Sequence, residues 1–227
     1  MPAVVHTTDT FDQLLDAVQQ QGIKISGAKC GVEIPLKGVK AEFLAPNAED
    51  YENLNDYSAV LKLTYGEQAF LFTGDAQELS ENEMLANGQN LQASILKIGH
   101  HGSSSSSSAA FLQAVSPQIA VISCGLQNDY GHPHREVLQR LVEQDIKVLR
   151  TDLHGTITIK SNGKSITISV KEAGGQKEWI GNKNSKVVHH QNCSNLPHPK
   201  NRIYFDSLDE AYQLKYRACP NCIAGGN

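Results

Sequence analysis

Phe11, Leu14, Leu15 and Val18 recur at helical spacing behind the polar run Thr7-Thr8-Asp9-Thr10 and ahead of Gly22, which predicts an amphipathic helix with its own cap and stop. Ile23 to Ile25 reads as a short strand. The period then shortens to two: Val32, Ile34 and Leu36 alternate with polar neighbours, as do Val39, Ala41 and Phe43 beyond Lys37-Gly38, and this predicts a hairpin. A second hairpin is expected from 59–65 and 68–73 around Gly66-Glu67. After Gly74-Asp75 helix and strand alternate, with helices over 76–86, 109–115 and 135–144 and strands over 94–98, 119–123 and 146–150. Such alternation implies crossover units on a sheet buried by helices, an α/β architecture. Strands over 156–160 and 165–170 close on Asn162-Gly163, a strong two-residue turn signal.

Composition bounds the class. With 227 residues, 40% hydrophobic and 19% charged, the chain suits one sizeable domain and a small second one, and excludes collagen-like, coiled-coil or wholly disordered classes. No window approaches the ~18 uninterrupted apolar residues of a membrane helix, and Met1 to Asp9 has no export-signal pattern. No membrane segment is therefore expected. The net charge of -4 argues against a surface that grips nucleic acid all over. It is unevenly spread: residues 1–170 hold 12 Lys/Arg and 19 Asp/Glu, whereas residues 171–227 hold 8 and 5. We therefore expect a domain over 1–170, a polar, glycine-containing linker over 171–178 and a second unit over 179–227.

The five cysteines divide in the same way. Cys30 and Cys124 stand alone and are expected to be plain buried thiols. His189-x3-Cys193 and, 25 residues on, Cys219-x2-Cys222 place soft ligands in pairs, a pattern that favours one closed tetrahedral zinc. A redox dithiol would need a surrounding βαβ pattern, and none is visible. So small a unit needs such a staple.

Three clusters of the larger unit carry candidate chemistry. Asp75 ends an apolar strand, where a carboxylate reaches a sheet edge and can bridge cations. His100 and His101 follow another strand between glycines, so they can share one rim with Asp75. His132 precedes a helix N-terminus, a place suited to a phosphate, while His134 reads more readily as a capping or surface residue. The run Ser103 to Ser108, by composition alone, is a flexible loop.

Leu71-Phe-Thr-Gly-Asp75, Leu96-Lys-Ile-Gly-His-His-Gly-Ser103 and Tyr130-Gly-His-Pro133, with Glu136-Val-Leu138, Arg150-Thr-Asp152 and Asn53-Leu-Asn-Asp-Tyr-Ser58, resemble the metallo-β-lactamase-fold domain of the competence channel protein ComEC and its free-standing relatives. The resemblance covers about residues 1–170. It implies an αββα sandwich with a metal site on one sheet edge, hydrolysing a phosphodiester, DNA among them, or a related bond. Asp75 would be the bridging carboxylate and one of His100 and His101 the last imidazole ligand, for zinc or manganese. His132 would assist catalysis, and Ser103 adjoins the His pair on the substrate side. Asn55 and Ser58 fall near where many relatives place another metal histidine. The family's first metal motif, H-x-H-x-D-H, occurs nowhere in the chain, and His6 is the one histidine before Asp75. The expectation is an N-terminally truncated fold whose missing half a longer chain or a partner supplies. The resemblance implies a place of action outside the cytoplasm.

Ile180 to Lys186, His189 to Cys193, Asn201 to Phe205, a helix over 207–215 and Tyr216 to Cys219 resemble the metal-binding domain of the DNA repair protein Ada. The resemblance implies a small α+β unit with His189, Cys193, Cys219 and Cys222 as zinc ligands, and His190 and His198 outside them. Lys183, Lys186, Lys200 and Arg202 around it suit phosphate contact. The leading expectation is a ComEC-like nuclease or phosphodiesterase, incomplete in this chain. A non-catalytic module binding nucleic acid or cell-envelope polymer, and a lactonase or thioesterase on the same fold, are the alternatives.

Overall fold

A computed structural model describes Pro2 and residues 8–126, 128–171, 178–205 and 207–223. His6 and most of the expected linker (172–177) lie outside these residues. The chain is mixed α/β, with six α-helices among the described residues.

Helix α1 (Asp9–Gln20) begins at Thr8, whose side chain accepts from the Phe11 amide at 3.3 Å. None of its residues is buried. Ile23 to Ile25 form no strand, and Ile23 and Ile25 stay 60% and 44% exposed. Ile23-Lys24-Ile25, between Gly22 and Gly27, pairs with no strand among the described residues, and a lone strand is unstable in water.

Strands β1 (Glu33–Leu36), β2 (Val39–Ala45), β3 (Val60–Tyr65) and β4 (Gln68–Phe72) form an antiparallel meander, as the alternation predicts. From β4 the chain runs through α2 (Glu78–Ala86), β5 (Ile95–Lys97), α3 (Ala109–Val115), β6 (Ile119–Ile122), α4 (Arg135–Glu143) and β7 (Lys147–Arg150). Strands β4 to β7 are parallel neighbours, which completes a seven-stranded sheet in sequence order. Right-handed crossovers that step one way along a sheet put every helix on the same face. Met84, Phe111, Leu112, Val137 and Leu141 of those helices accordingly share one core with Leu71, Leu96, Ala120 and Ile122 of the strands.

The opposite face presents Phe70, Phe72, Ile95 and Val121. A short helix α5 (Thr151–His154) leads into the hairpin β8 (Thr156–Ser161) and β9 (Ile166–Lys171), whose Ile157 and Ile159 border a cavity of about 420 Å³ against that face. The hairpin tip meets the β3–β4 turn: Glu67 N–H donates to the Gly163 carbonyl at 2.6 Å. A Cβ at Gly66 would stand 2.5 Å from that oxygen. Gly66 is glycine because the backbones touch, and Gly163 because its φ of 88° lies in the left-handed region.

A separate four-stranded sheet, ordered β12-β10-β11-β13, contains β10 (Trp179–Asn182), β11 (Val187–His190), β12 (Arg202–Phe205) and β13 (Arg217–Ala218), with helix α6 (Leu208–Gln213) preceding β13. Its core is small: Val188, Phe205, Ala211, Tyr216 and Ile223 are the buried members.

Candidate functional site

The parallel strands bring their C-terminal ends to one edge, where loops of open α/β sheets ordinarily gather ligands. Asp75 follows β4, His100 and His101 follow β5, and 123–134 follow β6. His100 and His101 sit in the left-handed region, with φ of 46° and 55°. That conformation costs a non-glycine residue about 1–2 kcal/mol. It is held by the His100 amide on the Gly74 carbonyl at 3.0 Å and the Ser103 amide on the His100 carbonyl at 2.8 Å. The result is a turn tight enough to aim both imidazoles along the rim.

The two rings differ in what their nitrogens do. His101 Nδ1 lies 2.7 Å from the Ser123 carbonyl, which only accepts, so Nδ1 carries the proton. Nε2 then faces Asp75 Oδ1 at 3.5 Å, and presents a lone pair there whenever the ring carries a single proton. Two lone-pair donors converge there, as they do on a cation. His100 is the reverse, because its Nδ1 accepts from the Gln77 amide at 3.2 Å and therefore leaves the proton on Nε2. Of the pair, His101 has the free donor nitrogen beside Asp75.

Ser123 is fixed from behind. Thr151 Oγ1 accepts from the Cys124 amide and donates to the Cys124 carbonyl, both at 2.9 Å. The Cys124 thiol donates to Asp152 at 3.1 Å, and Asp152 forms a buried two-point pair with Arg150 at 3.0 and 2.5 Å. Burial, then the Asp152 charge, pushes that thiol up to about 12. This network joins β7 to the carbonyl that sets the His101 tautomer.

His132 lies above the pair, its ring centroid 5.7 Å from that of His100 and 4.7 Å from that of His134. Asn128 grips its backbone twice, at 3.0 and 2.7 Å. Burial, then His134, His100 and His101 in that order, lowers its pKa to about 4 against the pull of Asp75. It is a neutral N–H donor at pH 7. His134 ties the loops instead, accepting from the Ser104 amide at 2.9 Å while its own amide reaches the Gly102 carbonyl at 2.8 Å.

In the C-terminal sheet His189, Cys193, Cys219 and Cys222 each offer one donor atom, all within 4.8 Å of one another. Among the described residues this is the one cluster of three or more such donors. His189 Nδ1 is buried without a hydrogen-bond partner among those residues. Backbone amides of His190 and Asn195 point at the Cys222 and Cys193 sulfurs, each at 3.4 Å. Burial lowers the pKa of His189 and raises those of Cys193 and Cys222. An orphaned imidazole nitrogen among three sulfurs fits a metal ion, whose charge would offset the burial of thiolates.

No family model matches the chain. ComE operon protein 3 of Bacillus subtilis (strain 168) is 37% identical over 159 residues, 70% of this chain and 20% of that protein. Competence protein ComA of Neisseria gonorrhoeae is 44% identical over 121 residues, covering 53% of this chain and 18% of that protein. Both of these homologues of the chain are competence proteins of the ComEC family. Recombination protein 2 of Haemophilus influenzae adds 31% identity over 123 residues, 54% of this chain and 15% of that protein. The chain thus spans a fifth or less of these ComEC-family relatives. No helix among the described residues is long and apolar enough to cross a membrane.

The rim gathers Asp75, His100, His101 and His132, and the hydroxyls of Ser58 and Ser103 are engaged beside it. Ser58 Oγ accepts from the Asp75 amide at 3.0 Å, and Ser103 is buried with its hydroxyl 3.0 Å from that of Ser105. Both hold loops in place. Asn55 lies in a 3-10 turn, its amide donating to Asn53 Oδ1 at 2.9 Å. Cys30 is exposed rather than buried, since Gly31 and Val32 lead straight into the edge strand β1. The serine run is not a loose loop: Ser103, Ser106 and Ser107 are buried, and Glu81 of α2 accepts from the amides of Ser107 and Ser108. Gln77 was missed because the pattern starts α2 at Ala76. The helix begins at Glu78, leaving Gln77 extended and free to face His100.

Proposed function

We propose that the rim is part of a metal-dependent phosphodiesterase site on a metallo-β-lactamase-type αββα sandwich, in a protein with a competence-related role. The division we propose is a hydrolase unit over 1–170, a linker over 171–178 and an Ada-like unit over 179–227 stapled by one zinc. The observation that carries the hydrolase reading is the convergence of the His101 Nε2 lone pair and Asp75 Oδ1 at 3.5 Å. Homology to competence proteins and the neutral His132 support it.

A zinc or manganese ion held by Asp75 and His101 would supply Lewis acidity to a phosphoryl oxygen. The chain's own residues do the rest. His132 donates its ring N–H to a phosphoryl oxygen, and the Nε2 proton of His100 gives a second donor on the same side. With so low a pKa, His132 binds the oxygen rather than protonating the leaving group. Two donors hold one cation weakly, so the described rim needs further ligands, of the H-x-H-x-D-H kind, for hydrolysis at neutral pH.

Isothermal titration of the 227-residue chain with manganese should find a weak rim site that Asp75→Asn removes. Turnover of bis-p-nitrophenyl phosphate should appear only when a polypeptide bearing H-x-H-x-D-H is supplied. Cleavage of lactones or thioesters in place of the phosphodiester would overturn the nuclease reading. A chain that bound oligonucleotides but no rim cation would instead be a binding module.

A further inference from the structure

The four-stranded sheet does not stand clear of the rim. A Cβ at Gly131, one residue before His132, would lie 3.9 Å from Pro199 Cδ and 4.0 Å from His198 Nε2. Arg135 at the start of α4 donates to Asn195 at 3.2 Å. On either side of the Gly131 contact is a cavity. One, about 420 Å³, is lined by Asn128 and Asp129 on one wall and by Lys183, His198, Lys200 and Arg202 on the other. The second, about 250 Å³, lies along Tyr130, His134 and Arg135 and shares His198 and Arg202 with the first.

The chemistry of this seam is consistent along its length. Lys183 and Lys200 are exposed at its mouth. Arg202 forms the floor, 6% exposed and fixed by its Nε on the Pro197 carbonyl at 2.9 Å. Lys183, Lys200 and Arg202 line the first cavity against one carboxylate, Asp129, and Arg135 adds a cation along the second. Lys186 is not among them, because its ammonium lies 4.7 Å from the Tyr216 ring centroid and 3.3 Å from that hydroxyl. Tyr130 is 79% exposed, yet its ring is stacked on His132 at 5.7 Å and 20°. An exposed aromatic plane beside a cationic groove is the combination that grips single-stranded nucleic acid without reading its sequence.

We infer that the seam between the loop 128–135 and the four-stranded sheet is a subsite for a single-stranded polynucleotide, with Lys183, Lys200 and Arg202 on flanking phosphates and Tyr130 under a base. Resting on the phosphodiesterase reading, it gives the C-terminal sheet a task besides folding: it carries the strand past His132. A strand whose base stacks on Tyr130 places an adjacent phosphate within the His132 side of the rim.

The full chain, zinc-loaded, is titrated into fluorescein-labelled dT12 at low salt and followed by anisotropy. Lys183→Gln with Lys200→Gln should weaken binding at least tenfold and reduce the slope of log K against log salt by about 1.4. Tyr130→Ala should cost about tenfold with the slope unchanged. Lys37→Gln with Lys147→Gln, away from the seam, should bind like the parent. Parental affinity in the seam variants, equal loss in the control, a 12-base-pair duplex bound as tightly as dT12, or no binding by the parent would each overturn the inference. The rim cation is read separately by manganese titration. Its absence alongside seam-dependent binding would remove the hydrolase reading and leave this one standing.

Discussion

His101 turns Nε2 toward Asp75 across 3.5 Å because its other nitrogen is committed to the Ser123 carbonyl. The neighbouring His100, one residue earlier on the same turn, is committed the opposite way by Gln77. The asymmetry predicts unequal mutants. His101→Ala should weaken manganese binding at the rim by tenfold or more, whereas His100→Ala should change it less than threefold. Gln77→Ala leaves His100 Nδ1 with the Ser105 hydroxyl, 3.4 Å away, and should leave the metal affinity near that of the parent. Titration calorimetry of the three variants decides the matter, and a larger loss in His100→Ala would reverse the assignment.

The Cys/His cluster should hold one zinc per chain, and removing it should unfold the four-stranded sheet. Metal-binding free energy in so small a core is largely folding free energy. Cys219→Ser or excess chelator is expected to lose the zinc and the corresponding melting transition. A Cys219→Ser chain with full zinc and an unchanged melt would remove the idea.

Glu81 is 2% exposed and accepts from two amides of the serine run. Glu81→Ala would orphan both donors, at roughly 2–4 kcal/mol of stability in chemical denaturation. Glu81→Gln keeps one acceptor and should lose about half as much. Equal stability in all three chains would mean that the carboxylate is not what orders the serines.

His132 supplies a pH test. Its folded pKa of about 4 lies below the ordinary 6.5, so on acidification the unfolded chain takes up the proton first. The stability linked to this ring is present in full above pH 6.5 and is lost as the pH falls to about 4. Between pH 7 and 4.5 the metal-free parent should therefore lose more stability than His132→Asn. Parallel losses would show that the imidazole is not held neutral by its surroundings.

Much of the seven-stranded sheet was legible because its cues are local. Alternation marks β1 to β4, and the apolar runs before Asp75 and His100 mark buried strands whose ends share an edge. The tautomers of His100 and His101 were not legible, since Ser123 and Gln77 meet them only after folding. The serine run carried no apolar signal, so nothing in its composition showed that Glu81, 26 residues before Ser107, would bury and order it. The seam was also hidden: Lys183, Lys200 and Arg202 were visible as charge, but their position beside Gly131 is a tertiary fact.

The tip-to-tip contact between Gly66 and Gly163 bears on solubility. Any side chain at Gly66 must displace the Gly163 carbonyl, levering the β8–β9 hairpin away from the large sheet. Phe72 is already exposed, and Phe70, Ile95 and Val121 together with Ile157 and Ile159 would then join it in water, an apolar patch of the kind that drives chains to aggregate. A lesion at this turn, remote from every candidate ligand, would announce itself as precipitated protein while the rim residues remained chemically intact.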